Sequence, residues 1–222
     1  STASQVRVNP TAGFSIASWD SDGSSTTVGT GLSSVDFIIQ KCTSHATNWS
    51  VWSSAFASNT GYLSLDTTNA LTVNSTVFSG APTGGVVPLG SNGNYGTKAI
   101  MYAWSEVAGF SKFGSYEGNG SAEGPFIHTG FKVAWLLIKN IDNYGSGYDW
   151  FIFDSKRDTY NTSDAILKAN LADSESDSDS IDMLSNGFKL RATTNGINLN
   201  AHTHVYFAFA SNPFASNGGL AR

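Results

Sequence analysis

The chain has 222 residues, 13 % of them charged, and a formal net charge of −5. Such a length supports one large or two small domains, each able to bury its own core. The negative balance and the lack of a Lys/Arg cluster argue against nucleic-acid binding, which needs a basic patch to displace counterions. No apolar run approaches the roughly 18 residues of a membrane span, so membrane insertion is not expected either.

Because charged residues fall well below the roughly 25 % usual in soluble domains, the polar surface must come mainly from Ser, Thr, Asn and Gly. Cys42 is the only cysteine, which excludes an intrachain disulfide. The Ser-Thr-Ala-Ser start carries no signal pattern and reads as that of a fragment or processed chain.

Residues 1–12 read as an N-terminal linker or strand. From residue 13 onward the chain is written twice, each block returning about 100 residues later in the same order. Ser18-Trp19-Asp20-Ser21-Asp22-Gly23-Ser24 returns as Ser115-Tyr116-Glu117-Gly118-Asn119-Gly120-Ser121. Phe37-Ile38-Ile39-Gln40-Lys41 returns as Trp135-Leu136-Leu137-Ile138-Lys139. Asn48-Trp49-Ser50-Val51-Trp52-Ser53-Ser54 returns as Asp149-Trp150-Phe151-Ile152-Phe153-Asp154-Ser155, and Met101-Tyr102-Ala103-Trp104-Ser105 as Tyr206-Phe207-Ala208-Phe209-Ala210. The repeats therefore run over residues 13–108 and 109–214, with 215–222 as a C-terminal tail.

Each block is short, rich in aromatic and β-branched residues, and bounded by Gly, Asn, Asp or Ser, as strands are. The nearly continuous apolar runs Val133 to Lys139, Trp150 to Phe153 and Val205 to Ala210 fit strands covered on both faces. Asp22-Gly23 and Asn119-Gly120 occupy equivalent places and favour tight hairpin turns. One short helix is expected over Ala165 to Ala172. The fold class is all-β: two tandem antiparallel β-sandwich or jelly-roll repeats packed together, each with strands enough to close its own core.

The same blocks carry a family resemblance. Glu106 to Tyr116 with Gly118-Asn119-Gly120, then Trp150-Phe151-Ile152-Phe153-Asp154-Ser155, Leu184 to Arg191, and Tyr206 to Phe214 resemble segments of a duplicated β-domain. That domain is found in marine and cyanobacterial phage tail-fibre-like and other virion structural proteins. The resemblance spans about Gly13 to Phe214, more specifically in the second repeat than in the first. It implies a place on a virion surface and contacts with other virion proteins, and it carries over no catalytic residue. A polar surface without disulfides or an export signal also suits a particle assembled in host cytoplasm and released by lysis. Tail-fibre modules of this kind are expected to form homotrimers and to bind a host-surface glycan. A capsid-decoration or head-fibre module making protein–protein contacts is the alternative, and a polysaccharide-degrading enzyme a third reading.

Three sets of residues are candidates for chemistry. Trp19, Tyr95, Tyr144 and Tyr148 fall beside turns or in Gly/Asn-rich loops, where an aromatic face next to hydroxyl and amide groups suits a stacked sugar. Asp20 and Asp22 alternate like the start of a calcium loop, although no bidentate Glu follows. Asp173, Glu175, Asp177 and Asp179 would line one side of an extended segment and need a cation or water between them. Calcium is the cofactor either set would take if it took one; a pair of hairpin turns and a solvated loop are the plainer readings. His202 and His204 sit two apart, and would hold zinc only if a third ligand such as His128 came close. No nucleophile elbow, metalloprotease helix motif or phosphate-cradling loop is present, so no catalysis is expected.

Overall fold

The computed structural model describes residues 2–212, with Asp179 described by its backbone alone. Every regular element among those residues is a strand, and all the strands pair antiparallel. The chain divides into two compact units after Val107, with Thr68–Ala70 assigned to the second.

In the first unit, β1 (Ser4–Asn9), β2 (Phe14–Asp20), β4 (Phe37–Cys42), β5 (Ser50–Ser53), β6 (Gly61–Ser64), β7 (Thr72–Val73) and β9 (Lys98–Trp104) form one sheet in the order β1-β2-β9-β4-β5-β6-β7. A ribbon of β3 (Thr26–Gly29) and β8 (Val86–Leu89) supplies a second layer. Strand alternation sends Ala17 and Trp19 of β2, Ile38 of β4 and Met101 of β9 into one core with Val28, Val87 and Leu89 of the ribbon. Residues 1–12, expected as linker or strand, contribute β1, which pairs with β2 from Ser4↔Trp19 to Asn9↔Phe14.

The second unit holds β10 (Ser111–Glu117), β11 (Phe126–His128), β12 (Val133–Asn140), β13 (Trp150–Asp154), β14 (Ser163–Lys168), β15 (Ser176–Leu184), β16 (Gly187–Leu190) and β17 (Thr203–Ala210). They make one continuous sheet, β10-β17-β12-β13-β14-β15-β16-β11. β14 turns the corner: its C-terminal half pairs with β13, and its N-terminal half pairs with β15 across a register shift between Ser163 and Ala165. Leu136, Ile138, Phe151, Phe153 and Tyr206 then share a core with Ile127, Ile181, Phe188 and Leu190. Side chains on the opposite faces, among them Leu137, Trp150 and Phe207, are buried too, which is what uninterrupted apolar runs require.

Pairing registers place the duplication on a structural footing. Phe37 pairs with Ser53 and Trp104 in the first unit; Trp135 pairs with Asp154 and Phe209 in the second. Ile38↔Trp52 answers to Leu136↔Phe153, and Trp19↔Ala99 to Tyr116↔His204. The sub-order β2-β9-β4-β5-β6 is repeated as β10-β17-β12-β13-β14.

Two local expectations are corrected. The segment read as a helix from Ala165 to Ala172 begins instead as strand β14, which ends at Lys168, because Ala165 and Ile166 bury themselves in the corner and β13 and β15 take up its backbone groups. Local propensity is too weak a term to resist two neighbouring strands. The Asp22-Gly23 and Asn119-Gly120 turns do not close hairpins, since β2 pairs with β1 and β9 while β3 pairs with β8, and β10 pairs only with β17. Each carries the chain out of its sheet, with Gly23 and Gly120 supplying positive φ values of 77° and 62°.

Candidate functional site

The Asp22-Gly23 turn, read as the start of a calcium loop, and its counterpart at Asn119-Gly120 are each built around a buried asparagine. In the first repeat, Asn94 is fully buried and its Nδ2 donates to Asp22 Oδ1 at 2.8 Å and to the Ser24 carbonyl at 2.9 Å. In the second, the fully buried Asn198 donates to Asn119 Oδ1 at 3.1 Å and to the Ser121 carbonyl at 2.8 Å. The backbone amides of Gly23 and Gly120 in turn donate to the carbonyls of Asn94 and Asn198. A neutral amide is thus the donor to the Asp22 carboxylate in the first turn and to the Asn119 amide oxygen in the second. The Asp22 carboxyl is held below its ordinary range by the Ser24 hydroxyl first, then by the Ser24 amide, with Asn94 adding to them. Asp20 points elsewhere and pairs with Lys98 on the surface.

The acidic run is exposed where its side chains are described. Asp173 and Glu175 precede β15, Glu175 is paired with Arg157, and Asp177 lies on the strand opposite Ala165. The side chain of Asp179 lies outside the described residues. Among the described residues no three His, Cys, Asp or Glu side chains converge as metal ligands would.

Of the four aromatic residues expected on a binding surface, two are exposed and two are not. Tyr144 is 69 % exposed and Tyr95 47 %, the latter edge-on to His45. Trp19 is buried, with Nε1 donating to Asn94 Oδ1 at 2.7 Å; Tyr148 is buried, with its hydroxyl accepting from Asn143 Nδ2. A ring enclosed in the fold has no face to offer a sugar, so both leave the proposed surface. Trp19 stands next to a turn in the chain, yet in space it is the last inward position of β2. The residue that sequence reading missed is Tyr160, on the β13–β14 loop, with 83 % of its surface exposed. Its Thr, Asn, Ser and Asp neighbours are the same signal that pointed to Tyr144.

His204 serves the fold. His204 is fully buried; its Nδ1 donates to the His202 carbonyl at 3.0 Å, and its Nε2 accepts from Asn140 Nδ2 at 3.3 Å. Burial pushes it down to about 4, so it is neutral at pH 7. Lys139, equally buried, is pushed down to about 8 by burial, against the attraction of Asp149. Its Nζ donates to the Asn140 carbonyl and to the carbonyl of Thr68. On the exposed loop after β4, Ser44 Oγ lies 3.0 Å from His45 Nδ1 but also accepts from the amides of Thr97 and Lys98. With its lone pairs so engaged, that hydroxyl fixes a loop and is poorly placed to act as a nucleophile.

Fold and loops together define an all-β protein made by duplication of one sandwich unit, its exposed tyrosines carried on connecting loops. Residues 1–213 match the model of a domain of unknown function (DUF7483), and the chain belongs to that family. No curated protein and no solved structure matches the chain.

Proposed function

We propose that this chain is a surface-display module of a bacteriophage virion, of tail-fibre type, that binds a host-surface glycan and leaves it intact. The observation that carries the reading is the placement of Tyr144 and Tyr160: they are highly exposed rings, and both stand on loops of a strand frame that buries most of its other aromatic residues. Conserving a rigid frame while loops carry recognition is how binding domains commonly divide their work. Tyrosine offers a flat apolar face and a polar tip, and stacking with a few hydrogen bonds gives about millimolar affinity, on the order of −4 kcal/mol, for one site. Display in several copies on a symmetric fibre, expected to be a homotrimer, would raise that by avidity. The resemblance of the second repeat to virion proteins and the low surface charge support the same reading.

Adsorption of the labelled chain to a panel of bacterial cells, before and after periodate oxidation of their surface sugars, tests it. Binding that periodate abolishes, with the released polysaccharide unchanged in length, is expected. Binding that survives periodate, no binding at all, or a shortened polysaccharide contradicts it.

A further inference from the structure

Beside Tyr160 lies a groove of about 420 Å³ within the second unit, formed by the β13–β14 loop, the β14 start and the residues that follow β17. The volume falls at the small end of the roughly 300–1,000 Å³ usual for ligand sites. We infer that this groove is a saccharide-binding site selective for a carboxylated sugar. The inference rests on the reading of the chain as a glycan-binding module and names the site and sugar class.

Ser163 in the groove wall is 1 % exposed, and its hydroxyl helps to hold the Asp158 carboxyl below its ordinary range. Tyr160 provides an open ring to the groove. Lys132 and Lys156, both exposed, line the groove and are in no ion pair among the described residues.

The loop that presents Tyr160 is also fixed in place. Asp158 Oδ2 accepts from the amides of Asp164 at 2.8 Å and Ala165 at 3.4 Å. Asn161 clamps the backbone of Met183 from both sides, accepting its amide at 2.9 Å and donating to its carbonyl at 3.1 Å. Arg157 donates to the carbonyls of Ala165 and Ile152 and to Glu175, which turns its charge away to the neighbouring strands. A ring held out to solvent by a loop so tightly bonded loses little freedom on binding. Two lysines beside an aromatic face suit a pyranose that carries a carboxylate, as a uronic acid does, while the Asp158 carboxylate in the same wall is already engaged by the amides of Asp164 and Ala165.

Titration of the whole chain with glucuronic acid and with glucose, followed by ligand-observed NMR, tests the inference. Expected are weak binding of glucuronic acid, several-fold weaker binding of glucose, and a loss of about tenfold in Tyr160→Ala, as one stacked ring is worth. The Lys132→Ala, Lys156→Ala pair should bring glucuronic acid down to the level of glucose. Tyr160→Ala should melt with the wild type, because an exposed ring supports no core. Equal binding of the two sugars by the wild type, or affinity unchanged in Tyr160→Ala, overturns it. If neither sugar binds while periodate still abolishes adsorption to cells, this groove fails alone and the broader reading stands.

Discussion

In the first repeat, the loop after β5 turns Phe56 inward until only 7 % of it is exposed, and the Trp52 indole donates to the carbonyl of Asn59. The loop after β13, its counterpart in the second repeat, holds Tyr160 83 % exposed and binds Asp158 and Asn161 to the backbone around it. Beneath the loops the two frames agree. Trp19 over Ala99 in one becomes Tyr116 stacked on His204 in the other, the rings 5.1 Å apart, so a smaller ring on one strand is matched by a larger side chain on its partner. Strand pairing and the buried asparagine have constrained both copies alike, whereas the loop tips have been left to diverge.

The widest separation between the copies should come from their equivalent tryptophans. Trp150 is fully buried while Trp49 is only half-buried, with Lys41 over its ring. Urea denaturation should show a loss of about 3–5 kcal/mol in Trp150→Ala and of roughly 1–2 kcal/mol in Trp49→Ala. Equal losses would mean that the two sites have not diverged in burial.

Acid should act on the second repeat alone at this position, since Ala99 cannot titrate where His204 can. The fold prefers neutral His204 and holds it at about 4 against 6.5 when unfolded. Its contribution is therefore fully present above pH 6.5 and is lost as pH falls toward 4, by up to about 3 kcal/mol. Stability measured from pH 7 to pH 4 should fall less steeply in His204→Gln than in the wild type. Parallel pH profiles would show that His204 is not the group responsible.

The asparagine clamps should be closer in effect. Asn94→Ala and Asn198→Ala each remove a buried amide that ties a turn to the frame, the first also leaving the buried Trp19 indole N–H without its acceptor, and each should cost about 1–3 kcal/mol. The cost should be somewhat larger at Asn198, which also donates to the Ala192 carbonyl at 2.9 Å. A near-zero cost at either would remove the clamp from the shared frame. Smallest of all, chelation with EDTA should leave the melting temperature unchanged, because the amide of Asn94 already satisfies Asp22; a clear drop would restore calcium to the turn.

How much of this the amino-acid order reveals depends on which force fixes each part. The duplication, the strand blocks and their register are legible because side-chain burial repeats along the chain with the same spacing in both copies. Trp52 and Phe153, aligned between the two copies, illustrate it, since they hold equivalent pairing positions opposite Ile38 and Leu136. The clamp is not legible, for Asn94 and Asn198 lie far in sequence from the turns they hold. Trp19 misleads because neighbours in sequence, Asp20 and Asp22, are surface residues while the strand's alternation carries the ring inward. Tyr160 is legible only as one more tyrosine among polar residues. Its distinction comes from Ser163, Met183 and Ser211, which long-range strand pairing brings to the same groove.

A glycan array probed with the wild type, Tyr144→Ala and Tyr160→Ala tests the central claim most directly. The wild type should be retained by a coherent class of surface saccharides, most strongly by carboxylated ones, with that signal falling in Tyr160→Ala while the printed glycans keep their mass. Retention by no saccharide, the same retention by all three proteins, or cleavage of the glycans would contradict recognition through these loops.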